Sequence, residues 1–99
     1  MKSSPLPLNE LEMVRAIFRR HPEVASATLF GSRAKGTHSN QSDVDLVVAG
    51  CVAPLGAEAI AAELDELPLP YKFEVQALEQ IQHRPLLEHI KQVGIPIYP

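Results

Sequence analysis

Leu29-Phe30-Gly31-Ser32-Arg33-Ala34-Lys35-Gly36-Thr37-His38-Ser39-Asn40-Gln41-Ser42-Asp43-Val44-Asp45-Leu46-Val47-Val48-Ala49 is the stretch that decides the fold of this 99-residue chain. An apolar run enters Gly31-Ser32, a short basic turn follows, and a polar loop leads into Asp-x-Asp at the head of a second apolar run. Residues Asp43 to Ala49 are rich in β-branched side chains and stop at Gly50, which predicts a mostly buried strand. Side chains alternate faces along a strand, so Asp43 and Asp45 share one face and their Cα atoms stand roughly 7 Å apart. Carboxylates that close can reach one cation or bracket two. Without a cation they repel, and at least one pKa rises. Mg²⁺ relieves that repulsion, because it takes carboxylate and phosphate oxygens while keeping several waters.

The turn supplies the complementary half. Ala25 to Phe30 reads as a strand that runs straight into Gly31-Ser32. Glycine lets a backbone approach a phosphate closely, and Ser32 adds a hydroxyl at the start of a short helix whose N–H groups favour anions. Arg33 and Lys35 add positive charge, Gly36 ends the turn, and Thr37 to Ser42 carry the chain to the second strand. Together these are the parts that hold a nucleoside triphosphate and its metal ions. The plainer reading is a hairpin-like connection with two solvated aspartates, but solvated acids seldom open so apolar a strand.

Gly31-Ser32, ten residues, then Asp43-Val44-Asp45 resembles the signature of the DNA polymerase β-like nucleotidyltransferase superfamily. The fuller strings Leu29 to Gly36 and Ser42 to Leu46 resemble its smallest branch, the minimal nucleotidyltransferases. The tail Leu87 to Tyr98 has the same look, so the likeness covers most of the chain. The resemblance implies an α/β (α+β) nucleotidyltransferase fold, a mixed twisted sheet with helices packed mainly on one face. It implies metal binding and catalysis by Asp43, Asp45 and a third carboxylate from a neighbouring strand, for which Glu74 in Tyr71-Lys72-Phe73-Glu74-Val75 is the candidate. Phe73 and Val75 would then face the helical layer. Gly31, Ser32, Arg33 and Lys35 would contact the nucleotide. Many relatives are expected to carry aspartate where Glu74 stands. One extra methylene moves the carboxylate by about 1 Å or more, a displacement that can cost roughly 10²-fold in rate. A solvent-facing Glu74 on an edge strand is the other reading.

The remaining sequence predicts a scaffold. One core and one domain over residues 1–99 suit this length, with residues 1–7 as a flexible N-terminus. Asn9 and Glu12 suit a capping box ahead of the stripe Leu11, Val14, Ile17 and Phe18, with Arg15, Arg19 and Arg20 on or beside the exposed side. A second helix is expected over about 55–67, with Ile60, Ala61 and Leu64 inward and Glu58, Glu63, Asp65 and Glu66 outward. Pro85 and Gly94 frame a third, whose apolar side is Leu86, Leu87, Ile90 and Val93, and Ile95 to Tyr98 form a short last strand. His38, His83 and His89 form no ligand pair, and His21 suits a cap or dipole role at its helix end. Cys51 stands alone, a small partly buried residue in a reducing cytoplasm. No signal peptide or membrane span is visible, and a net charge of −3 argues against broad nucleic-acid binding.

The resemblance implies a Mg²⁺-dependent enzyme, with two ions expected, that moves AMP from ATP to a hydroxyl. The chain has no room for an acceptor domain, so a partner or an oligomer is expected. The family points to a helical HEPN-type protein, with AMP placed on a tyrosine of that toxin and the transferase acting as antitoxin. Two alternatives stay open: a non-catalytic module that neutralises such a partner by contact, and nucleotidyl transfer to a small molecule or RNA.

Overall fold

Strand and helix periods in the sequence are realised with ends shifted by a residue or two. A computed structural model describes residues 6–36 and 43–99. In chain order they form α1 (Leu8–Arg19), β1 (Val24–Phe30), α2 (Ser32–Lys35), β2 (Val44–Gly50), α3 (Pro54–Asp65), β3 (Phe73–Ala77), a 3₁₀ turn (Leu78–Gln80), α4 (Arg84–Val93) and β4 (Ile95–Tyr98). The strands make one sheet in the order β3-β2-β1-β4. β1 is antiparallel to both β2 and β4, whereas β2 and β3 run parallel, joined through α3. The sheet is therefore mixed, as expected.

Register sorts the side chains. Val44, Leu46 and Val48 pair with Phe73, Val75 and Ala77 on one side and, through Leu46 and Val48, with Leu29 and Ala27 on the other. Paired residues share a face, so these apolar side chains form one surface. Leu11, Val14, Ile17 and Phe18 of α1 and Ala57, Ile60 and Leu64 of α3 close over it as the core. Phe18 also meets the ring of Tyr98 with centroids 5.4 Å apart, tying α1 to the last strand. α4 lies against the opposite face of β1, where its His89 ring stands edge-on to Phe30. No α4 side chain is fully buried.

Several expectations are corrected. Leu6, inside the stretch read as a flexible terminus, is 1% exposed and belongs to the core. α1 begins at Leu8 after Pro7 with no side-chain cap, so the Asn9–Glu12 capping box does not form. Glu12 instead binds Arg15 and Arg19, which lowers its pKa. Arg15 is half-buried and its Nε donates to the Ile97 carbonyl at 2.7 Å. Glu63 turns inward rather than outward, and the His21 ring bridges Glu23 (3.2 Å) and Glu63 (2.8 Å), joining the end of α1 to α3. Asp65, though exposed, accepts the Phe73 N–H at 2.9 Å and so caps the start of β3. Cys51 is exposed. Among the described residues no helix is long and apolar enough to cross a membrane.

Phe18 is fully buried beneath both layers. Phe18→Ala is expected to cost about 3–5 kcal/mol, the usual range for emptying such a site. Urea unfolding followed by circular dichroism measures this, and a loss below about 1 kcal/mol would contradict the packing of α1 described above.

Candidate active site

The alternation that buries Val44 and Leu46 sends Asp45 to the opposite face of the sheet. There it lies in register with Glu74 of β3 on one side and Phe30 of β1 on the other. Asp43 is exposed immediately before β2, while the Val44 N–H donates to the Lys72 carbonyl at 2.9 Å and fixes the mouth of the parallel pair. Asp45 therefore feels both of the other acids named from the sequence. Burial pushes the Asp45 carboxyl above its ordinary value of 3.8, and the charges of Glu74 and Asp43 push it further. Hydrogen bonding with the Glu74 side chain favours the protonated form of Asp45 as well.

Gly31 closes the other side of Asp45. Its φ of 79° lies in the left-handed region, and a Cβ there would run into the Asp45 carboxylate. Glycine is thus required both by the backbone and by the close approach of the acid. The single turn of α2 follows: Lys35 N–H donates to Gly31 O at 3.1 Å, and Gly36, also left-handed, caps the end. Lys35 is exposed.

Arg33, expected from the resemblance to contact the nucleotide, is packed inside the described structure. It is 4% exposed, with its guanidinium 4.3 Å above the centre of the Tyr71 ring. A planar, weakly hydrated cation tolerates such stacking far better than an ammonium would. The Tyr71 hydroxyl donates to Glu10 at 2.7 Å, which raises its pKa, and its ring stands edge-on to Phe73. Arg33 thereby ties α2 through Tyr71 to α1.

Two residues near the site are not singled out by the sequence. Tyr71 stands there only as a neighbour of the Glu74 strand. His89 has no ligand pair in the sequence, yet the Gly31 N–H donates to its Nε2 at 3.0 Å. Its spacing held a signal: His89 lies three residues after Leu86 and four before Val93, on the apolar edge of α4. His38 lies outside the described residues. An open cavity of about 230 Å³ between α3 and β3, lined by Ala57, Val75 and Ile81 among others, contains none of the predicted site residues.

Among the described residues no three His, Cys, Asp or Glu side chains are arranged to cage an ion unaided. The donor set still suits Mg²⁺: hard carboxylate oxygens, crowded by like charge, with the remaining positions left for phosphate and water.

The family profile for "Polymerase beta, Nucleotidyltransferase" matches residues 12–99, and the chain belongs to that family. No match is found among curated proteins. A toxin–antitoxin crystal structure with AMP-PNP superposes with a TM-score of 0.72 at 22% identity, covering 91% of this chain and 73% of that one. A mutant of the toxin–antitoxin MntA-HpeT gives 0.71 at 20% identity, with coverage of 91% and 73%. The tri-AMPylated Shewanella oneidensis HEPN toxin in complex with MNT antitoxin gives 0.66 at 17% identity, with coverage of 91% and 69%. At these identities the likeness establishes the fold.

The raised Asp45 pKa sets a stability test. A carboxyl that holds its proton more tightly when folded contributes stability below its ordinary value of 3.8, and that contribution is lost as pH rises through the folded value. Asp45→Asn, which keeps the shape without the charge, is expected to raise the melting temperature of the ligand-free chain at pH 7 by roughly 2–5 °C, with screening by solvent already discounted. The gain should vanish below pH 3.8. Gly31→Ala should act oppositely, lowering the melting temperature at every pH because the clash with Asp45 is steric and the left-handed backbone disfavours a side chain whatever the charge state.

Proposed function

We propose that this chain transfers AMP from ATP, in a Mg²⁺-dependent reaction, to a hydroxyl on a partner protein of the HEPN type, and so acts as an antitoxin. The observation that carries the reading is the meeting of Asp45 and Glu74 in register beside Gly31, with Asp43 adding its charge. It is supported by family membership and by the likeness to complexes that contain AMP-PNP or an AMPylated HEPN toxin.

In this reading Gly31, Ser32 and the exposed Lys35 hold the β and γ phosphates. Arg33 acts from beneath, keeping α2 on the Tyr71 ring. Asp43, Asp45 and Glu74 would hold Mg²⁺, which when bound neutralises triphosphate charge and lowers the acidity barrier of the acceptor hydroxyl. The acceptor oxygen forms the new bond to the α-phosphorus as the bond to the β-phosphate oxygen breaks, and pyrophosphate leaves. In this reading Glu74, the exposed member of the Asp45–Glu74 pair, takes the acceptor proton. Positioning and charge complementarity supply most of the rate in such a reaction. The lone Cys51 and the absence of a membrane-spanning helix among the described residues fit a cytoplasmic setting.

The test is the mass of the partner. Co-purified with a HEPN-type protein and given ATP and Mg²⁺, the wild-type chain should add the mass of one AMP or a small multiple. Asp43→Asn and Asp45→Asn should each reduce the rate by about 10²-fold or more, as expected when a group that organises the reacting phosphates is lost. An unmodified partner whose toxicity is still suppressed would replace this reading with neutralisation by contact alone.

A further inference from the structure

Gly31 is held from two sides. Its α-carbon faces the Asp45 carboxylate, and its N–H donates to Nε2 of His89 at 3.0 Å. An accepting Nε2 places the ring proton on Nδ1. The same ring stands edge-on to Phe30, with centroids 6.2 Å apart and planes at 80°. His89 therefore grips two consecutive residues, the last of β1 and the first of the turn.

The rest of α4 explains why a directional bond matters here. With no fully buried side chain, the helix rests on partly buried Leu86, Leu87, Ile90 and Val93. Apolar contact is non-directional and tolerates sliding. A hydrogen bond from a backbone amide to one ring nitrogen does not, because it weakens steeply with distance and angle.

We propose that His89 is a positioning residue of the nucleotide site: it fixes the Phe30–Gly31 peptide, and through it the placement of Gly31 and Ser32 against Asp45. It touches none of the reacting atoms. The proposal rests on the reading of Gly31 to Gly36 as the phosphate turn, and it adds α4 to the parts that build the site.

Two measurements on the full ¹⁵N-labelled chain test it: exchange of the Gly31 amide, and titration with AMP-PNP in the presence of Mg²⁺. His89→Ala should speed Gly31 exchange and weaken AMP-PNP binding, each by about tenfold, the scale of one ordinary hydrogen bond. His89→Gln, whose amide oxygen can accept the same N–H, should recover most of both effects, which a loss of packing alone would not do. Unchanged Gly31 exchange in His89→Ala would overturn the proposal. So would faster exchange with undiminished AMP-PNP affinity, since His89 would then hold the turn without positioning the nucleotide. If the wild-type chain binds no AMP-PNP while Gly31 exchange still responds to His89→Ala, the hold on the turn stands and the nucleotide reading fails.

Discussion

The register of β2 against β3 governs the rest of the molecule, because one strand meets two incompatible environments. Val44, Leu46 and Val48 fill the core beneath α1 and α3, so strict alternation leaves Asp45 on the other face. Parallel pairing then sets Glu74 beside it. A slip of one residue would drive carboxylates into the apolar layer and valines into the site. The folding energy of the core thus holds two like charges together, against their mutual repulsion.

That arrangement leaves the ligand-free site under electrostatic tension. Asp45 keeps its proton more readily than a free aspartate, stands in register with Glu74 and packs against a glycine that cannot be enlarged. Binding sites commonly trade stability for function in this way. The supports lie around the site: Arg33 on Tyr71, Tyr71 on Glu10, and Asp65 on the first amide of β3.

Much of this was legible in the residue order because period and punctuation are local. The four strands, the α1 stripe, the Pro85 and Gly94 frame of α4 and the Asp43–Asp45 pair follow from alternation, helical spacing and turn chemistry, whereas Glu74 is named only by the family resemblance. What escaped depends on contacts between distant residues. Arg33 looks like a phosphate ligand by its neighbours in sequence, yet Tyr71, 38 positions later, offers its ring and buries it. Arg15 and Glu63 looked like solvated helix faces until β4 and His21 supplied partners. Leu6 looked like part of a loose terminus, and only the assembled core shows where it packs. His89 was legible in its spacing but not in its purpose, since its partner is a backbone amide that no side-chain pattern reveals.

The burial of Arg33 also divides the labour of the turn. Its guanidinium lies beneath the surface against the Tyr71 ring, while Lys35, two residues on, is an exposed cation of the described turn. A charge held in a packed position acts through a fixed field, whereas one on a flexible stem can follow what approaches it. The two basic residues of one short helix are in this way a fixed charge and a mobile one.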